Sequence, residues 1–337
     1  MNVIRTVLVV LALVFGLTQM GTAGEFYKGK QIIMIVSADA GTSYDLYPRL
    51  AARHIAKYIP GNPKIVVKNM PGASGMVAAN WLYNVAKPDG VTLGAIHRTL
   101  PLTQALGVRQ AKFDPAKFSW IGTPVQETAS CFVRADSAYK NAADLISASS
   151  VKMAATQPRS DVFIVPLMLN NIAGSNLKVT SGYRGIMATA LAVEKGEVDG
   201  ICGWGYASLR ALKSDWFKKD FIKILVQIGR EKHPDLQDVP LASDLAKPGK
   251  ESILEVYNTQ LTVGRPWVAP PGVPADRVNI LRQAFTDVMK DPGFLADAKK
   301  AKVQINPLPG DQLQVLVEKM VSIPAEKKPA LKKIFKY

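Results

Sequence analysis

The sequence predicts an α/β protein with parallel sheets, divided over two domains. Apolar, β-branched runs of strand length alternate with stretches whose apolar residues recur at helical spacing. The alternation comes in two series of similar layout, one over residues 32–96 and one over residues 151–202. Roughly 310 residues follow an N-terminal export segment, against about 100–200 residues for a single domain.

Residues 1–23 carry one positive charge at Arg5, an apolar stretch over residues 7–17, and small residues at Gly21 and Ala23. This pattern predicts a cleavable secretory signal peptide and a mature chain outside the cytoplasm, with a retained anchor as the alternative. The first βα unit follows. Residues 32–36 read as a strand buried in a parallel sheet, and Leu46, Leu50, Ile55 and Tyr58 give the helical period after it. Thr42 with Asp45 has the spacing of a capping box. A helix starting there directs unpaired N–H groups and a positive dipole end at the loop of Ala40, Gly41, Thr42, Ser43 and Tyr44, which suits a carboxylate. The same loop also serves as the short connection any βα unit needs.

The rhythm repeats with a strand at 64–67, a loop at 69–75, a helix through Trp81, Leu82 and Val85, a turn at Pro88-Asp-Gly90, and a strand at 91–96. Ligands of parallel sheets sit beyond the carboxyl ends of the strands. Those ends are residues 37–44, the loop holding Ala73 and Ser74, and His97 with Arg98. An extended stretch at 120–133 could cross between domains, and a helix begins near Asn141. The second series has strands at 151–155, 177–180 and 198–202, with helices at 162–173 and 186–195. Beyond it come an apolar run at 221–228, a turn-rich stretch at 234–240, a strand at 263–269 and a helix at 278–289. Tyr183 and Trp204 each follow a second-series strand and are expected to face the cleft; Trp204 reads equally well as apolar packing.

The formal charge is +15, one less without Arg5, and it is spread along the chain apart from a basic C-terminal run. For an exported chain that favours acidic small molecules or an acidic surface over nucleic acid. Cys131 and Cys202 are too few for a disulfide framework, and one bridge or two buried thiols both fit. His54, His97 and His233 lack metal-ligand spacing, and the chain has no nucleophile elbow, Walker loop or dinucleotide fingerprint. No metal or cofactor is expected. The balance favours a protein that binds its ligand over one that converts it.

Gly41-x-x-x-Asp45-x-x-x-Arg49, Val66-Val-Lys-Asn-Met-Pro-Gly-Ala-Ser-Gly75 and Pro88-Asp-Gly-Val-Thr-Leu93 resemble the extracytoplasmic solute receptors of tripartite tricarboxylate transporters, the Bug family. Tyr183-Arg-Gly185, Gly196-Glu-Val-Asp199 and the Pro-rich stretch at 234–240 extend the resemblance over nearly the whole mature chain. It implies a two-lobed periplasmic-binding-protein fold, type II-like, each lobe a mostly parallel sheet flanked by helices, with the ligand cleft between the lobes. Lobe 1 is expected at 24–123 plus 227–337 and lobe 2 at 124–226. It also implies a monomeric, non-enzymatic periplasmic receptor that delivers a small organic acid to large and small permease subunits.

By the family pattern, residues 40–45 hold one carboxylate, and the loop at 156–161, with Ser160 and Asp161, faces it. Two departures stand out: Thr42 occupies a glycine position of the family, and Gln157-Pro-Arg-Ser-Asp-Val-Phe163 replaces a loop ending in Ser-x-x-His. Arg159 reads as a bidentate carboxylate partner or as a solvated charge. Asp45 reads as a cap and loop organiser, because like charges repel. A carboxylate leaving water needs N–H donors or a cation, which makes Arg98, Arg159 and Arg184 the candidate cations. The competing reading is a secreted hydrolase or lyase using Asp45, Asp161 or Asp199 with His97.

Overall fold

The computed structural model describes residues 26–158 and 160–336; the signal-peptide reading and the Arg159 assignment fall outside them. Two sheets organise the chain. The first contains β1 (Gln31–Val36), β2 (Lys64–Asn69), β3 (Thr92–Ala95), β4 (Ser119–Thr123), β10 (Trp267–Ala269) and β11 (Leu308–Pro309), in the order β11-β4-β10-β3-β1-β2. The second contains β5 (Ala129–Arg134), β6 (Val151–Ala154), β7 (Leu177–Thr180), β8 (Gly200–Gly205) and β9 (Ile222–Ile228), in the order β7-β6-β8-β5-β9. Helices α1 (Ser43–Ala52), α2 (Met76–Asn84) and α3 (Leu100–Ala105) follow the first strands, and α4 (Ala142–Ser147), α5 (Asp161–Ala173), α6 (Ile186–Glu194), α7 (Tyr206–Leu212) and α8 (Ser214–Lys218) accompany the second series. The C-terminal helices are α9 (Glu251–Val263), α10 (Ala275–Val288), α11 (Pro292–Lys300), α12 (Gly310–Val321) and α13 (Lys328–Phe335). Among the described residues no helix is long and apolar enough to cross a membrane.

The two-lobed α/β fold is as expected, but the sheets are mixed rather than mostly parallel. β1 pairs in parallel with β2 and β3, and β6 with β7 and β8. β10 runs antiparallel to β3 and β4, and β5 antiparallel to β8 and β9. β10 and β5 are where the chain enters a sheet from the other lobe, so no local crossover helix sets their direction, and the short β11 also runs antiparallel, to β4. β1 and β5 are almost fully buried, in keeping with their unbroken apolar runs. Cys131 and Cys202 are register partners on β5 and β8 and are joined by a disulfide.

Two local expectations fail. Thr42 and Asp45 do not form a capping box. The Thr42 hydroxyl donates to the Asp39 carbonyl at 2.8 Å, while the Asp45 carboxylate accepts from Gly41 N–H at 2.9 Å. Arg49 and Asn69 hold that carboxylate under the loop at 2.8 and 2.9 Å, out of reach of the cap. The strand expected at 263–269 begins only at Trp267, because Val263 ends α9 and Gly264, at φ +61°, turns the chain. The sequence pattern did not reveal α9: its last turns, Asn258-Thr-Gln-Leu-Thr262, are polar yet buried, since α9 packs between α5 and α12 and shows no single apolar stripe.

Residues 124–128 link β4 to β5. Gln126 N–H donates to Asn306 O and Glu127 N–H to Leu261 O, both at 2.9 Å, which ties this crossing to the C-terminal region and to α9.

Candidate functional site

A cleft of about 700 Å³ lies where the two sheets meet. The second sheet supplies most of its wall: the loop after β6, the loop 181–185 after β7, and Gly203 to Gly205 at the end of β8. The first sheet contributes Arg98, just past β3, and Arg265, just before β10. The carboxyl ends of β3, β6, β7 and β8 reach the cleft as the strand-end rule expects, whereas those of β1 and β2 do not line it, and Arg265 precedes the antiparallel β10.

Four charges occupy its floor. Arg98, whose side chain is 7% exposed, pairs with Glu127 and reaches Asp161 at 2.5 Å. Arg265 pairs with the other oxygen of Glu127 at 2.5 Å. The fully buried Tyr257 donates its hydroxyl to Asp161 at 3.0 Å. Burial, then the nearby Asp161 carboxylate, pushes the Tyr257 pKa well up, so it stays a neutral donor. Asp161 opens α5, and Ser160, Asp161 and Val162 at the start of that helix line the cleft. Gly203, at φ +100°, permits this. A Cβ there would overlap the Asp161 carbonyl oxygen and lie 3.0 Å from the Val162 nitrogen.

Of the residues singled out in the sequence, Arg98, Ser160, Asp161, Tyr183, Arg184 and Trp204 line the cleft. Trp204 satisfies both readings: it forms part of the wall and is 3% exposed, its ring packed against Phe132 and Trp216. Ala40, Gly41, Thr42, Ser43, Tyr44, Asp45, Ala73, Ser74 and His97 do not line this cleft. They lie beside it, and Ser43 and Tyr44 contact its cations. The Arg265 guanidinium lies 4.2 Å from the centre of the Tyr44 ring and donates to the Ser43 hydroxyl at 3.2 Å. The Tyr44 oxygen accepts from Arg98 N–H at 3.3 Å, and its ring meets His97 edge-on. Gly75 lets the loop of Ala73 and Ser74 descend onto His97, since a Cβ there would come 2.8 Å from the imidazole. Burial depresses the His97 pKa, keeping the ring neutral. For Asp45, burial alone would raise the pKa, but bonds from Arg49, Gly41 and Asn69 outweigh it and hold the carboxyl low, as suits a loop organiser.

Sequence reasoning missed Arg265, Glu127 and Tyr257. Gly264 before Arg265 and Pro266 after it is a turn signal that a strand reading of 263–269 overrode. Glu127 and Tyr257 carried no local signal, because their partners lie 29 and 96 residues away. His54 is held by Asp297 at 2.9 Å, a structural role, and no group of side chains among the described residues could hold a metal ion.

A sequence profile described as the tripartite tricarboxylate transporter family receptor matches residues 48–322. The chain belongs to that family. It is 23% identical over 274 residues to a UPF0065 protein of Bordetella bronchiseptica, covering 80% of this chain and 76% of that one. Its fold is similar to that of a TctC solute-binding protein from Polaromonas, with a TM-score of 0.71, 18% identity, and 91% and 99% of the two chains covered. It is also similar to an R. palustris protein described with adipate, with a TM-score of 0.63, 17% identity, and 91% and 98% covered. The family is one of solute receptors, and the hydrolase or lyase reading finds no support in it.

Proposed function

We propose that this receptor captures a small organic acid in the periplasm and hands it, as a monomer, to large and small membrane permease subunits. The observation that carries the reading is the cleft itself. It is walled by strand ends of the second sheet, floored by Arg98 and Arg265 from the first, and faced by the N-terminal turn of α5. Fixed N–H donors and guanidinium groups at one place are what a carboxylate needs when it leaves water. The R. palustris neighbour's adipate is an acid of this kind.

The proposed lobes are residues 24–123 with 227–337 and residues 124–226. Residues 229–247 still touch β9 and α5, through bonds such as Gln227 N–H to Pro240 O at 3.0 Å and Lys247 N–H to Ile172 O at 2.7 Å, before α9 carries the chain back. Closure of these lobes on ligand is the expected response. Calorimetric titration with a panel of mono-, di- and tricarboxylates, paired with X-ray scattering, tests it. Binding of at least one acid with a reduced radius of gyration supports the proposal, and no heat or compaction from any of them refutes it. For delivery, deletion of the permease subunits should abolish uptake of that acid.

A further inference from the structure

Resting on the reading of the cleft as an acid site, we infer that Glu127 and Asp161 set the valence of its ligand, selecting an acid with a single carboxylate. The charges at the cleft floor cancel: Arg98 and Arg265 are matched by Glu127 and Asp161, within one connected set of ion pairs. Arg184, exposed at the rim, is the further cation on the described wall. One ligand carboxylate can be met by Arg184, by the first-turn N–H groups of α5, or by a share of the Arg98 and Arg265 donors. A second would enter a site whose inner cations already serve two carboxylates of the chain. It would stand near those like charges with water excluded, where repulsion is strongest.

Apart from Arg184, the rest of the described wall is uncharged. Pro158 and Ile186 offer apolar surface beside the neutral polar groups of Thr156, Gln157, Ser181 and Ser208, so a distal carboxylate there meets no cation. Neither carboxylate is spare. Glu127 ties the crossing segment to both arginines, and Asp161 ties α5 to Arg98 and to Tyr257 on α9. A ligand carboxylate must therefore compete with them for the same guanidinium groups.

The test is calorimetric titration of the full mature chain with acids matched in length: hexanoate against adipate, and phenylacetate against 1,4-phenylenediacetate. The expected result is at least tenfold tighter binding of the monoacid in one pair or both. Asp161→Asn, which keeps an acceptor for Tyr257, and Glu127→Gln should each narrow that ratio at least tenfold by strengthening diacid binding. Taking the ratio within each variant cancels any general loss of affinity through misfolding. Diacids that bind the unaltered protein as tightly as monoacids, or ratios unmoved in both variants, overturn the inference while leaving the acid-receptor reading intact. Failure of every acid to bind removes that reading itself.

Discussion

Replacing Arg98 with alanine should destabilise the ligand-free protein as well as weaken acid binding. From sequence alone Arg98 is a cation reserved for ligand, whose loss would touch affinity only. In the fold it is 7% exposed between Glu127 at 19% and Asp161 at 35%. Removing one partner of a fully buried ion pair costs about 3–5 kcal/mol. Here each carboxylate keeps a second partner, Arg265 for Glu127 and Tyr257 for Asp161, and Asp161 keeps some of its water. The cost therefore falls in the range for hydrogen bonds to charged groups, about 1.5–3 kcal/mol. At roughly 2–4 °C per kcal/mol for a chain of this order, Tm should drop by about 3–12 °C. Urea denaturation of Arg98→Ala, Asp161→Asn and the double variant, without ligand, measures the coupling directly. We expect an interaction energy of about 1 kcal/mol or more. Additivity within about 0.3–0.5 kcal/mol would show that the pair does not exist in solution and would refute the reasoning.

Gly203→Ala should cost about 1–3 kcal/mol of stability and at least tenfold in acid affinity, because its methyl group pushes against the first turn of α5; unchanged affinity would separate that turn from the site. His97 should make stability depend on pH. Burial holds its folded pKa below the ordinary value of ~6.5, so its contribution is complete above that pH and is lost as pH falls toward the depressed folded value. His97→Gln should flatten the slope of unfolding free energy between about pH 7 and 5, with His233, also depressed by burial, supplying what slope remains; an unaltered slope contradicts the assignment. Replacing Cys131 and Cys202 together with serine opens a loop of 71 residues, with an expected loss of about 4 kcal/mol by chain entropy. Chemical denaturation showing equal stability of the oxidised protein and the double variant would count against a bridge that constrains the unfolded chain.

The elements that were legible are those whose signal is local. β1, α5, β7 and α6 each carry their own apolar run or helical period within a few residues, and the loop between β7 and α6 lines the cleft. Arg98, Asp161 and Tyr183 could be placed near a site on that ground alone. The reading of Asp45 as a loop organiser rests on like-charge repulsion of an anionic ligand, and the partners it has, Gly41 and Arg49, lie four residues away on either side.

The sequence by itself thus determined the α/β alternation, the two-lobed plan and the family. Only the tertiary structure decided that the sheets are mixed, that Ser43 and Tyr44 of the first loop contact Arg265 rather than line this cleft, and that the floor is electrically balanced. The physical reason is sequence distance. A helix such as α9, buried on several sides, keeps no amphipathic pattern, and the partners of Arg98, Arg265 and Tyr257 are set by how the two lobes meet. Neither fact is encoded within any one segment, since each depends on which surfaces pack together.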